Sequence, residues 1–262
     1  ASVTCTFDPR GSYAPTYLIT GADLAFAAGI MEWAITDARY FEALELAKKQ
    51  GIKINFCVSE IENADHPNTV RIQMRSRSKK KLLLLAKSTG GGGVVFTRID
   101  KWPVEIMAKS YEFLIQTGAD TESRICELLN SDGYVIDQPV RRKRGDEVLL
   151  HFKRTFPLAS EVQVRIDRLP GVREFRMVSP LFYVKRGEEL FSNTEEMNAA
   201  AENRNCSLGK IAMAYEAELL GLSEKEILDE MLRRFEVMRI SVNEGLHDRN
   251  VKMHLLKPSA RR

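Results

Sequence analysis

The sequence predicts an α/β protein of the α+β kind, and three observations carry this prediction. Short segments that alternate apolar and polar residues, as half-buried strands do, are separated by segments with helical spacing. Residues 111–182 contain the order strand, helix, strand, strand, helix, strand. Two further segments with helical spacing follow after a polar stretch. We therefore expect three domains, at residues 1–107, 108–186 and 187–262.

The first domain is predicted as an α/β domain. Its strands are expected at 2–7, 52–58, 69–75, 82–86 and 94–99. An Ala-rich apolar segment predicts a buried helix over 23–33. Residues 36–37 cap a second helix over 38–49, which Gly51 ends. Four glycines separate the last two strands, so we expect a loop there.

The second domain has the βαββαβ order of a split βαβ, or ferredoxin-like, unit. Its strands are predicted at 112–116, 134–140, 147–153 and 172–178, and its helices at 121–129 and 160–169. The basic run 141–144 lies where the second and third strands turn, so we expect it at a solvated hairpin tip. RNA-binding RRM domains share this topology, but they stack bases on aromatic residues of the central strands. The third strand has a single aromatic residue, Phe152, so RNA binding is a lesser alternative and no nucleic-acid partner is expected.

The third domain begins with the polar stretch 187–206, which we interpret as a linker that begins helically. Ser207 can cap the helix that follows, and Gly221 can end it. Ser223 and Glu226 form a capping box at the start of a second helix, which completes a helical hairpin. Apolar residues line one face of this second helix and need a surface to pack against: Ile227, Met231, Phe235, Met238 and Val242.

Composition and charge exclude several classes of protein. Lys and Arg total 39 against 36 Asp and Glu, and a formal net charge of +3 does not provide a general nucleic-acid-binding surface. The longest uninterrupted apolar runs, 82–86 among them, are far shorter than the ~20 residues of a membrane span, and no secretory signal is visible. The four cysteines are irregularly spaced, so we expect neither disulfides nor a structural metal site, and a cytoplasmic location is favoured.

Three local patterns admit both a functional and a structural interpretation. Gly, Ser and Thr at 11–17, ahead of a helix that begins near Asp23, can present hydroxyls and N–H groups to a small anion or form an ordinary turn. His66 can be an acid–base group, a ligand or a structural side chain. The glycines 90–93 precede a strand, which excludes a P-loop and a dinucleotide-binding loop, but their N–H groups can approach a carboxylate.

Five segments, in order, carry a resemblance to a known family. They are Gly-Ser-Tyr-Ala-Pro-Thr-Tyr at 11–17, Gly-Ala-Asp at 21–23, Ala-Gly-Ile at 28–30, His-Pro-Asn-Thr-Val at 66–70 and Ser-Thr-Gly-Gly-Gly at 88–92. Together they resemble the beta chain of bacterial iron–sulfur-dependent L-serine dehydratases. The resemblance implies that the first domain holds serine allosterically, that the second is an ACT domain, and that the third opens like the family's alpha chain.

The resemblance also implies a serine-sized site in the first domain. Ser12, Thr16 and Asn68 would contact the polar ends of the ligand, His66 would donate a hydrogen bond, and glycine N–H groups would take the carboxylate. The implied site consists of Gly11, Ser12, Thr16, Gly21, Asp23, His66, Asn68, Thr69, Gly90, Gly91, Gly92 and Gly93. No catalytic or metal-binding residue is implied here, because the family's [4Fe–4S] cluster belongs to a separate catalytic domain. That cluster's Lewis-acid iron helps to convert serine to pyruvate and ammonia.

The implied partners are L-serine or a similar small amino acid, a catalytic alpha-type domain or subunit, and a second copy of the chain. No membrane and no nucleic acid are implied. The whole enzyme would be a lyase of amino-acid metabolism and gluconeogenesis, of which this chain is a regulatory part or a fragment.

Two departures from the family's motifs leave an alternative open. Thr20 stands in place of a histidine, and residues 118–121 stand in place of the Asp-x-Pro-Gly turn of an ACT domain. The second departure argues against an amino-acid site at that helix start. In the alternative, the chain is a non-catalytic amino-acid-sensing or partner-binding protein derived from the family.

Overall fold

The computed structural model describes residues 1–130 and 135–247. The chain divides into two compact units, Ala1–Tyr183 and Val184–Arg262. The first unit contains two β-sheets with helices packed on them, and the described part of the second unit is helical. The α+β class predicted from the sequence is confirmed.

A six-stranded sheet forms the first half of the first unit. Its strands are β1 Ser2–Phe7, β2 Lys53–Val58, β3 Thr69–Arg75, β4 Lys81–Gly90, β5 Gly93–Ile99 and β6 Trp102–Ile106, in the spatial order β2-β1-β3-β4-β5-β6. β1 and β2 are parallel, so the chain must cross over between them. The crossover contains helices α1 Tyr13–Thr16, α2 Ala22–Ile30 and α3 Ala43–Lys49. The other neighbouring strands pair antiparallel.

Aromatic side chains join the crossover helices to the sheet. Phe7, at the end of β1, is fully buried. The rings around it are those of Tyr13, Tyr17, Phe26 and Phe56. The Tyr17 ring stacks on Phe7 with the centroids 4.5 Å apart. Since aromatic pairs add to the stability that burial alone provides, this cluster holds α1 and α2 over β1.

Both predicted helices of the crossover are shorter than the sequence suggests. The helix expected over 23–33 ends at Ile30, and the chain turns at Glu32 with a φ of 61°. The helix expected over 38–49 begins only after a 3-10 turn, Tyr40–Glu42. The reason is local, because the Asp37 carboxylate accepts a hydrogen bond from the Arg39 N–H at 2.9 Å and holds a turn there.

A four-stranded antiparallel sheet forms the other half of the first unit. Its strands are β7 Tyr111–Gly118, β8 Val140–Arg144, β9 Glu147–Arg154 and β10 Val172–Val178, in the spatial order β10-β7-β9-β8. Two helices, α4 Glu122–Asn130 and α5 Ser160–Asp167, cover one face. The βαββαβ order predicted from the sequence is therefore present.

The second strand of this sheet does not lie where the sequence suggests. A strand was expected over 134–140, and residue 134 lies outside the described ranges. The structure instead places the strand at β8, which contains the basic run 141–144. Gly145, at a φ of 60°, begins the turn into β9, so the hairpin tip follows the basic run. All five residues of β8 are exposed, so this edge strand has no buried face. The expected alternation of apolar and polar residues is therefore missing.

The face of this sheet opposite the helices is also covered. Leu114 of β7 and Leu149 of β9 pack in one core with Trp102, Val104 and Ile106 of β6. Glu112 and His151 lie buried on the same strands, with Oε2 and Nε2 2.6 Å apart. An RRM presents the corresponding face to RNA, and in the described residues this face is closed.

The second unit consists of helices α6 Thr194–Asn203, α7 Leu208–Leu220 and α8 Glu224–His247 within its described residues. The predicted caps of α7 are confirmed, because the Ser207 hydroxyl accepts from Lys210 N–H at 3.3 Å and Gly221 is left-handed. The capping box of α8 is also confirmed, with Ser223 N–H donating to Glu226 at 2.8 Å. The expected linker 187–206 contains the whole of α6, because Asn193 caps a helix there and its Ala201 is buried.

The apolar stripe predicted on α8 is largely open in the described part of the second unit. Ile227 is buried, whereas Met231, Phe235, Met238 and Val242 are each more than half exposed. No helix among the described residues has the length and apolar character needed to cross a membrane.

Candidate functional site

A buried carboxylate organises the loop that follows β1. Asp8 is almost fully buried, and its Oδ1 accepts from the N–H and Nε–H of Arg10 at 3.0 and 2.8 Å. Its Oδ2 accepts from the Ile61 N–H at 3.2 Å. These hydrogen bonds, with Arg10 first, hold the pKa of Asp8 well below its ordinary value. Asp8 thus ties the turn after β1 to the loop that follows β2.

Gly11 brings the same two segments into contact. A Cβ atom at this position would lie 2.2 Å from the Pro67 carbonyl oxygen and 2.4 Å from Asn68 Oδ1. Such distances are impossible for carbon, so only glycine lets the backbone approach this closely. The close approach places Ser12 and Tyr13 beside residues 66–69.

Asn68 is the centre of the resulting hydrogen-bonded cluster. Its Oδ1 accepts from the Tyr13 N–H at 3.1 Å and lies 3.4 Å from the Ser12 hydroxyl. Its own N–H donates to His66 Nδ1 at 3.1 Å. Thr69 is buried and donates its hydroxyl to the His66 carbonyl at 2.5 Å. The cluster therefore contains five residues of the implied site: Gly11, Ser12, His66, Asn68 and Thr69.

The contacts within the cluster decide which atoms remain for a ligand. Because Nδ1 of His66 accepts a hydrogen bond, the neutral ring carries its proton on Nε2. The Nδ2 group of Asn68 has no partner within residues 1–130 and 135–247. Ser12 is exposed and adds a hydroxyl. The cluster thus offers donors of the kind that bind a carboxylate.

A cleft of about 280 Å³ lies beside the cluster. It opens between α1–α2 and the strands β3 to β5, and two contacts connect it to the cluster. Tyr13 lines the cleft and follows Ser12, and Ser88 lines it and donates its N–H to the Asn68 carbonyl at 3.1 Å. The lining residues are Tyr13, Phe26, Val70, Ile72, Ala86, Lys87, Ser88, Gly92, Gly93, Val94 and Phe96.

The remaining residues of the implied site have other surroundings. The Thr16 hydroxyl donates to the Ser12 carbonyl at 2.7 Å, a bond within its own helical turn. Gly21 begins α2 with a φ of 69°, and its carbonyl accepts from the Tyr40 hydroxyl at 3.1 Å. Asp23 lies in the first turn of α2. Gly90 and Gly91 are exposed at the tip of the β4–β5 hairpin, outside the lining of the cleft.

The start of α4, where the Asp-x-Pro-Gly turn of an ACT domain is missing, contacts the turn that follows α5. The Thr121 hydroxyl donates to the Pro170 carbonyl at 2.7 Å, and a Cβ on Gly171 would lie 2.4 Å from that hydroxyl. Gly118 N–H donates to the Gly171 carbonyl at 3.2 Å. These contacts bind the two turns together.

The cysteines do not fit an iron–sulfur cluster. Cys5 lies in β1, Cys57 in β2, Cys126 in α4 and Cys206 in the second unit. Burial, followed by the nearby Cys57, raises the pKa of the Cys5 thiol to about 12, so this thiol is a poor ligand and nucleophile. Within residues 1–130 and 135–247, no group of three or more His, Cys, Asp or Glu side chains is placed to hold a metal ion.

Comparison with known proteins gives a partial match over a short stretch of the chain. No protein-family model matches the chain. A stretch of 62 residues is 37% identical to the probable L-serine dehydratase, beta chain, of Bacillus subtilis (strain 168). The match shows a loose relation to that family. It covers 24% of this chain, and the chain spans 28% of the length of the relative.

Proposed function

We propose that this chain is the regulatory, ligand-binding portion of an L-serine dehydratase, an enzyme that converts L-serine to pyruvate and ammonia. The observation that carries the proposal is the cluster of Ser12, His66 and Asn68 beside the cleft, which offers donors to a small amino acid. The partial match to a serine dehydratase beta chain supports the choice of family. The catalytic iron–sulfur domain belongs to a companion alpha-type chain or domain, since the cysteines described here do not form its ligand set.

In this proposal, the ligand's carboxylate is bound by the Nδ2 group of Asn68 and the Nε2–H of His66. The Ser12 hydroxyl can both donate and accept, so it is suited to the hydroxyl or ammonium group of serine. Asp8 and Gly11 hold the segment that carries Ser12 against the segment that carries Asn68. Binding would therefore stabilise the contact between these two loops, which is the change that a companion domain could detect.

Isothermal titration calorimetry of the chain with L-serine tests the proposal. Asn68→Asp keeps the Oδ1 acceptor for Tyr13 but replaces the donor with a negative charge, so it should weaken binding of L-serine tenfold or more. Asn198→Ala, on the exposed face of α6, is the matched control and should leave affinity unchanged. If L-serine gives no heat, or if Asn68→Asp binds it as well as the unmodified chain does, the proposed site is wrong.

A further inference from the structure

The cleft beside the Asn68 cluster has walls that do not match a polar side chain. Phe26 of α2 and Ile72 of β3 form one part, and Val94 and Phe96 of β5 form another. The polar side chains of the lining belong to Tyr13, Lys87 and Ser88, and the Ser88 N–H donates to the Asn68 carbonyl of the cluster. The Lys87 ammonium group, on the neighbouring position of β4, is already paired with Asp65 at 2.6 Å. Phe26, Ile72, Val94 and Phe96 therefore make the lining of the cleft mostly apolar.

The chemistry of this lining discriminates between amino-acid side chains. A hydroxyl that packs against the phenyl and branched aliphatic groups of the cleft loses its water and finds no partner there, so its burial is unfavourable. Each methylene that enters improves affinity about fourfold, because apolar surface is removed from water. The volume of about 280 Å³ corresponds to roughly nine water molecules at ~30 Å³ each. A serine side chain has only two heavy atoms, so most of the cleft would still contain water.

We infer that the cleft is a side-chain subsite for an L-amino acid with an apolar side chain, which binds the same polar edge as L-serine. The inference rests on the proposed function for the polar edge of Ser12, His66 and Asn68, and it adds a second class of regulatory ligand. The carboxylate and ammonium groups lie at that edge, and the aliphatic side chain lies between Phe26 and Phe96. An apolar amino acid then competes with L-serine for the site.

A homologous series of ligands tests the inference by calorimetry on the full chain. L-alanine, L-2-aminobutyrate and L-norvaline differ by one methylene each, and affinity should rise about fourfold at each step. L-norvaline should also displace L-serine. Flat affinity along the series would overturn the inference, because an apolar subsite must register each added methylene.

Two variants of β5 locate the binding. Val94 lines the cleft, and successive side chains of a strand point to opposite faces, so Val95 points away. Val94→Phe should fill the cleft and abolish the gain along the series, whereas the matched control Val95→Phe should keep it. If Val94→Phe does not fold, the amide chemical shifts of Gly92 and Gly93 in the unmodified chain provide the test. L-norvaline bound in the cleft must change these shifts.

The outcomes separate this inference from the proposed function. If L-serine binds through Asn68 but the series is flat, the inference is wrong and the proposed function stands. If L-norvaline binds and Val94→Phe removes it, while L-serine does not bind, the subsite is real and the proposed ligand is wrong. If neither amino acid binds, both proposals fail.

Discussion

At the scale of single residues, Asp8 holds together the two segments that carry the candidate site. Asp8→Asn removes the charge that Arg10 and the Ile61 N–H stabilise, and it should lower the free energy of unfolding by about 2 kcal/mol at neutral pH. Both tryptophans, Trp33 and Trp102, lie in the first unit, so urea unfolding followed by tryptophan fluorescence measures this change.

The effect of Asp8 depends on pH in a definite direction. Folding lowers the pKa of this carboxyl, so its contribution to stability is complete above its ordinary value of about 3.9 and is lost as the pH falls below it. The difference between the unmodified chain and Asp8→Asn should therefore be smaller at pH 3 than at pH 7. Asp146→Asn, in an exposed turn, is the control. An equal difference at both pH values would contradict the assignment of Asp8.

Part of the candidate site can be predicted from the sequence. Family resemblance groups Gly11, Ser12, His66 and Asn68, and the structure places these four residues in one cluster. The resemblance does not include Asp8 in the site. Its position at the end of a strand and before Pro9 can be read from the sequence. Its role depends on the hydrogen bond from the Ile61 N–H. Local sequence patterns cannot predict a contact between residues more than fifty positions apart.

At the scale of elements, the predictable strands are those whose apolar side chains pack on a core. β3 lies between β1 and β4 and has its predicted bounds, 69–75. The edge strand β10 also has its predicted bounds, 172–178, because Val172 and Phe175 pack against the core of the second sheet. β6 and β8, each at the edge of a sheet, were not predicted. β6 contains Pro103, which an edge tolerates, and β8 has no buried residue to mark its period.

The first turn of helix α8 is held by its capping box and by the buried Ile227. Most of its apolar residues are exposed, so the hydrogen bonds of Ser223 carry much of the stability of the first turn. Ser223→Ala should cost about 1 kcal/mol and increase fraying there. Faster amide hydrogen exchange at residues 224–227, with unchanged exchange in α6, would show this. Ser192→Ala, whose hydroxyl and N–H meet Glu196 at the start of α6, should reverse the pattern.

At the scale of the whole molecule, the two sheets of the first unit share a core. Trp102 of β6 is buried against Leu114 and Leu149 of the second sheet, and its Nε1–H donates to Gln116 Oε1 at 3.4 Å. Arg176 of β10 also pairs with Asp100, which precedes β6, at 3.1 Å. In the proposed function, a ligand bound beside β3 to β5 would act on the second sheet through β6, because packed elements transmit displacement.

This shared core predicts that the two sheets lose stability together. Trp102→Ala removes a large buried side chain and should cost about 3–5 kcal/mol. Amide hydrogen exchange should then accelerate in β4 and β5 and also in β7 and β9, whereas Phe41→Ala, at a side chain that is 83% exposed, should change neither sheet. Acceleration confined to the first sheet would show that the sheets unfold independently. In that case, a signal from the cleft could not reach the second sheet through β6.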